Sequence, residues 1–293
     1  MMQSTKSQLM AAPQKKKKKR NISAYVIITI CMLLVLFALY IAVITSFMTK
    51  EEANYVEFHW IPKKGISLRV YIDAFTKDYG GTNVFIGLKN TLLMYIPAIF
   101  VGLYVSAMSG FAFAKMRFPG RRMMYTLLIA GMIIPVSTGT IAKLLIYDRL
   151  GWIGTPWPIM VPRMLGVASM IFFLRQFYAS VPSDLLEAAR IDGASEATTF
   201  TRIALPIIKP GIGALAIFTF INSWNDYFMQ LIMLSSTSKL TISLGIAKLQ
   251  AENSTDYGLI MAGAALAAVP IIIVFLAFQK YFTKGITMGA VKG

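Results

Sequence analysis

Between Asn21 and Met48 the chain runs for 28 residues without an acidic or basic side chain. A helix of that length exceeds the roughly 30 Å of hydrocarbon in a bilayer, and lipid admits only helices or closed barrels as spanning structures. The run is too long for the apolar centre of a secretory signal, and no small-residue cleavage site follows it, so it reads as a retained first span. Five further apolar runs follow: Leu88–Ala114, Met123 to about Ile146, Pro158 to about Phe177, Gly211–Leu234 and Gly258–Gln279. The expectation is an all-α membrane protein with six transmembrane helices, and the hydrophobic content of 56% excludes an ordinary soluble domain.

Charge gives the segments their sides. The net charge of +16 is concentrated, with six cations in Lys15–Arg20 beside the first span. That placement reads as a topology anchor rather than a nucleic-acid contact. With the N-terminus inside, the inner segments and tails hold 18 of the 29 Lys and Arg residues, as the positive-inside rule requires. The layout is then a basic cytoplasmic tail (1–20), a first helix (21–48), an extracytoplasmic segment (49–87), a transmembrane domain (88–280) and a cytoplasmic tail (281–293).

The residues leave little room for catalysis. One cysteine (Cys31, mid-span) and one histidine (His59, read as a surface residue) exclude a disulfide framework and a Cys/His metal cluster. No phosphate-binding Gly-x-x-x-x-Gly-Lys-Ser/Thr loop, His-Glu-x-x-His or Gly-x-Ser-x-Gly occurs. No catalytic, cofactor-binding or metal-ligating residue is therefore assigned. The main polar feature within the spans is Asn222, Asn225, Asp226 and Gln230, spaced i, i+3, i+4 and i+8, which puts them on one face of a continuous helix. They read either as the wall of a polar translocation path or as hydrogen-bonding glue between helices. Trp224 and Tyr227 read as interfacial anchors. Gly102, Ser106 and Gly110, with Gly263 and Ala267, suit close helix packing. Pro97, Pro135 and Pro270 are expected to kink their spans.

The longest polar-rich interruption among the later spans covers 184–206 and reads as helix, turn, helix. Asp184 is placed as the first cap, with Glu187 three residues on and Ala188 and Ala189 within the helix. Gly193 supplies the turn. Ser195 caps a second short helix, and Pro206 is expected to stop it.

Written as Glu187-Ala188-Ala189, three residues, Gly193, nine residues, Ile203, one residue, Leu205-Pro206, this stretch resembles the EAA loop of binding-protein-dependent ABC importer permeases. Gly151–Pro156, the fourth span, Ser223-Trp224-Asn225-Asp226 and the terminal Gly285–Gly293 are similar to the carbohydrate (MalG-like) branch, so the resemblance covers about residues 85–293. It implies a type I ABC importer transmembrane domain. It further implies that Glu187, Ala188, Ala189, Asp192, Gly193, Ile203, Leu205 and Pro206 couple to an ATPase. The implied partners are a second related permease, two ABC ATPase subunits, an extracytoplasmic solute-binding protein and membrane lipid, without nucleic acid. ATP and Mg would sit on the ATPases, leaving no cofactor on this chain. The resemblance also places the C-terminal tail at the ATPase and the polar loop Ser235–Tyr257 at the binding protein. The expected function is alternating-access import of a carbohydrate, an oligosaccharide, across a bacterial cytoplasmic membrane, with the charge of the sugar left open. An ABC permease for another solute, or a stand-alone carrier or membrane enzyme, remains the alternative.

Overall fold

The computed structural model describes residues 22–55, 59–77, 83–234, 239–252 and 256–290. The basic tail 1–20 and the last three residues lie outside them, as do parts of the segments 49–87 and 235–257. The described residues are helical, without a strand, and divide into two units, residues 1–41 and 42–293.

Helix α1 (Ile22–Ser46) carries the first apolar run. Its residues up to Tyr40, Cys31 among them, are exposed. An apolar surface all round is what lipid, rather than water, covers.

The second unit begins with two short helices, α2 (Lys50–Ala53) and α3 (Arg69–Thr76). Thr49 caps α2, while Val70 and Ala74 bury the inner side of α3. His59 stacks on Tyr55 at 6.3 Å. The long α4 (Val84–Lys115) starts at Asn83, whose side chain accepts from the Ile86 amide, and carries Pro97 within it. It is the central helix, packing against α7, α8, α12 and α14. Close approach explains its small residues: a Cβ at Gly102 would lie 2.2 Å from the Arg163 carbonyl oxygen. Ser106 completes the same seam, its Oγ accepting from the Val167 amide at 3.2 Å.

After a basic turn come α5 (Arg121–Ile133), a 3-10 turn (Val136–Gly139) and α6 (Thr140–Arg149), bent by 88° around Pro135. Proline forces the preceding Ile134 into an extended conformation and cannot donate to the helix ladder, so the break falls there. Helices α7 (Trp157–Met164) and α8 (Ala168–Ala179) form the fourth crossing, with a break at Gly166.

The polar interruption then folds as α9 (Ser183–Ile191), α10 (Glu196–Thr198), a π-helical turn (Thr199–Ala204) and α11 (Leu205–Ile207). It leads across a 76° bend into α12 (Lys209–Trp224). The chain ends with α13 (Phe228–Leu234), α14 (Ile242–Glu252) and α15 (Tyr257–Ala290). Among the described residues, four helical stretches are long and apolar enough to cross a membrane, and up to six if each of the two bent pairs counts as one span.

Three expectations change. Pro206 does not stop a helix: it sits at the N-terminal end of α11, where its missing N–H costs nothing. The supposed polar loop Ser235–Tyr257 contains α14, whose Leu244 and Leu249, with Leu240 and Ile242 at its start, are buried. The C-terminal tail, expected from residue 281, is helical through Ala290 as the end of α15.

Candidate functional site

Two features carry polar chemistry: the hairpin 183–207 and a cavity beside α12.

The first hairpin helix starts after Pro182, not on a side-chain cap; Asp184 lies in its first turn, where the helix dipole favours an anion. Leu186 and Ala189 bury one side of α9, whereas Leu185, Glu187, Ala188 and Ile191 are exposed. The helix ends in a Schellman arrangement. The Gly193 amide donates to the Arg190 carbonyl at 3.0 Å, and the Ala194 amide reaches Ala189 at 2.9 Å. That geometry needs a left-handed residue, and Gly193 has φ +84°, with nothing among the described residues within 4 Å of where a Cβ would stand. Only backbone conformation demands glycine here; space does not.

Ser195 then caps α10, accepting from the Thr198 amide at 3.2 Å. Arg190 bridges the turn with two bonds to Glu196, at 2.7 and 3.1 Å. Hydrogen bonding to that carboxylate raises the Arg190 pKa above its usual value. Phe200, on the π-helical turn, is buried among Phe111 and Tyr178, with ring centroids at 5.5 and 6.4 Å. Lys115, ending α4, donates to the Val181 carbonyl at 2.6 Å and to Ser183 at 3.3 Å. The hairpin is thus joined rigidly to α4 and α8. Of the residues singled out, Glu187, Ala188, Asp192, Gly193 and Pro206 are exposed, Ala189 is buried, and Ile203 and Leu205 are half-buried.

The cavity, about 720 Å³, is bounded by α7, α8, α12 and the break after α12. Phe173, Phe177 and Phe218 give it apolar walls, and Ser169, Thr219, Asn222, Arg163 and Asp226 its polar groups. The four polar residues of the fifth span do not share one helix face, because α12 ends at Trp224 and Asn225 becomes its C-cap. Asn225 is exposed and donates to the Ile221 carbonyl. Asn222 and Asp226 line the cavity. Gln230 is buried, donating to Tyr95 Oη at 2.6 Å and accepting from Thr241. Trp224 is buried rather than interfacial, its indole N–H donating to the Ala267 carbonyl at 3.0 Å.

Arg163 and Tyr95 complete the network. The Arg163 guanidinium donates to Asp226 Oδ2 at 2.6 Å and to the Ile159 carbonyl at 2.8 Å, and lies 5.0 Å from the centroid of the Tyr95 ring. Tyr95 Oη also reaches Asp226 Oδ2, at 3.5 Å. A carboxylate among apolar helices costs several kcal/mol unpaired, and this pairing removes that cost. Neither partner was singled out from sequence, yet Arg163 was visible as a cation inside an apolar run that also needed a counter-charge.

Residues 90–288 match the family described as "Binding-protein-dependent transport system inner membrane component". Among similar proteins, the arabinooligosaccharides transport system permease protein AraQ of Bacillus subtilis (strain 168) is 33% identical over 214 residues, 73% of this chain and 76% of AraQ. The lactose transport system permease protein LacG of Rhizobium radiobacter is 31% identical, over 69% of this chain and 74% of its own. The fold matches a chain in the crystal structure of a bacterial ABC transporter involved in the import of the acidic polysaccharide alginate. The TM-score is 0.76 at 21% identity, covering 89% of this chain and 95% of that one. A chain in a second structure, the alginate transporter in complex with an alginate pentasaccharide-bound periplasmic protein, matches with a TM-score of 0.62 at 18% identity, over 87% of this chain and 91% of that one.

Proposed function

The chain belongs to the binding-protein-dependent transport system inner membrane components, and from that premise we propose that it is the permease subunit of an ATP-driven importer of an oligosaccharide. Relatives named for arabinooligosaccharides, diacetylchitobiose and lactose support a carbohydrate cargo. The observation that carries the mechanism is the continuity of the hairpin with the cavity wall: the chain passes from α9 through Gly193 and α11 directly into α12, which bears Asn222.

In this reading the termini and the hairpin are cytoplasmic, and the exposed faces of Glu187, Ala188, Asp192, Gly193 and Pro206 dock on an ATPase subunit. Ile203 and Leu205, half-buried, and the buried Ala189 hold the hairpin's shape. The exposed Leu185 and Ile191 offer apolar surface of the kind a partner covers. ATP and Mg belong to the two ATPase subunits, and this chain contributes no catalytic group or cofactor of its own. A second, related permease faces the cavity, and a solute-binding protein delivers the sugar from outside. Asn222 and Asp226 line the path, with Gln230 and Asn225 supporting it. ATP-driven closure of the ATPases moves the hairpins, and the spans alternate their opening between the two sides.

Uptake of a radiolabelled oligosaccharide into proteoliposomes bearing the assembled complex tests this. The expected result is uptake that requires both ATP and the binding protein, and that unlabelled oligosaccharides compete away. Uptake by this chain without ATPase subunits, or competition by amino acids and not sugars, would overturn it.

A further inference from the structure

We propose that the cavity beside α12 accepts an uncharged saccharide and that the free carboxylate oxygen of Asp226 receives its hydroxyl groups. The inference rests on the importer reading above and narrows its cargo. Among the described residues lining the cavity, only Arg163 and Asp226 carry charge. They face each other at 2.6 Å, with side chains 25% and 16% exposed, so this wall has no net charge. The guanidinium is committed on three sides: to Asp226 Oδ2, to the Ile159 carbonyl and over the Tyr95 ring. A sugar carboxylate entering here would find that cation already neutralised and would approach the Asp226 anion. The charge of Arg163 is already offset by Asp226, so a uronate gains no net attraction from the pair, and its approach to the Asp226 carboxylate is opposed by like charge in a partly desolvated site.

An uncharged sugar meets a matched surface instead. Among the described residues, both side-chain hydrogen bonds to Asp226 are made to Oδ2 and none to Oδ1. The exposed Asn222 beside it offers an amide donor and acceptor. The same cavity is lined by Phe173 on α8 and Phe218 on α12, whose rings suit the apolar C–H faces of a pyranose or furanose. A few placed polar groups on an otherwise aromatic wall are the usual make-up of a small-molecule site. Arg163 here is a positioning residue: its bond to Oδ2 fixes the Asp226 carboxylate at the cavity wall.

The test uses the complete importer in proteoliposomes and two labelled probes at equal concentration, neutral arabinotriose and trigalacturonate. Their uptake ratio is compared in the wild type, Asp226→Asn and the double variant Arg163→Gln/Asp226→Asn. Every variant meets the same binding protein, so its selectivity cancels from changes in the ratio. Wild type should favour the neutral probe. Asp226→Asn, which leaves an unpaired cation, should move the ratio about tenfold toward the uronate, and the double variant should return it. Should Asp226→Asn fail to assemble, Asn222→Asp, which adds an anion to the same wall without touching the pair, should move the ratio about tenfold away from the uronate, and an unmoved ratio there would overturn the inference while leaving the importer reading intact. A ratio unmoved by Asp226→Asn would also overturn it. Uptake of neither probe would overturn the oligosaccharide reading itself, and the inference with it.

Discussion

Arg163 and Asp226 stand 63 positions apart in the chain and meet through a 2.6 Å hydrogen bond between Nη2 and Oδ2. The contact ties α7 to the non-helical break that follows α12. It stands at the centre of a polar network that continues through Tyr95 to Gln230 and Thr241.

Breaking such a pair from one side leaves a desolvated charge, whereas removing both charges leaves none. Asp226→Leu is therefore expected to destabilise the purified complex by about 3 kcal/mol, and Arg163→Met/Asp226→Leu by less than the single change. Thermal unfolding of the four members of the double-mutant cycle measures this. Additive losses would show that the pair contributes no coupling.

Gly193 separates backbone strain from space. With φ +84° and open surroundings, Gly193→Asn should retain most uptake, because asparagine enters the left-handed region at modest cost. Gly193→Val or Gly193→Leu should cost about 1–2 kcal/mol in the turn and uncouple ATP hydrolysis from uptake while membrane insertion stays normal. Full transport by Gly193→Leu would refute a pivot at this position.

Gly102 gives the opposite case, a glycine required by contact. Gly102→Ala would set a methyl 2.2 Å from the Arg163 carbonyl, so α4 and α7 must separate. Expression and thermal stability should fall, by about 1–3 kcal/mol. Gly131→Ala, inside α5 with nothing within 4 Å, should be neutral or stabilising by up to about 1 kcal/mol. Equal behaviour of the two variants would contradict the packing described for α4.

Among the described residues, the Tyr178 hydroxyl, buried in the aromatic group around Phe200, has no hydrogen-bond partner. Tyr178→Phe keeps the ring and removes the unsatisfied oxygen, so stability should be unchanged or rise by about 1 kcal/mol. A clear loss in thermal unfolding would show that the hydroxyl is hydrogen-bonded in the folded complex.

Much of this arrangement was legible in sequence because its signals are local. The turn at Gly193 and the cap at Ser195 depend on residues within three or four positions, and both stand where the pattern put them. Pro135 likewise breaks its span where its ring dictates. The missed features depend on distant partners. No proline or glycine marks Trp224-Asn225-Asp226-Tyr227, so a continuous helix was the natural expectation. The break is accompanied by tertiary bonds, among them Arg163 to Asp226 and Ser243 to the Trp224 carbonyl. The segment holding α14 looked like a loop because serine, threonine and glutamine outweigh its apolar residues locally. Burial of Leu240, Ile242 and Leu244, with Thr91 accepting from the Ile242 amide at 2.9 Å, decides its conformation from outside the segment.

The 76° angle between the helical stretch Glu196–Ile207 and α12 has a mechanical meaning. Two rods joined nearly at right angles do not transmit a thrust end to end. A pull along the first acts on the second as a torque about the corner, here the buried Ile208. Helix α12 would then sweep its far end sideways instead of sliding like a piston, and among its cavity-lining residues those near that end, Asn222 and Ser223, would travel farthest.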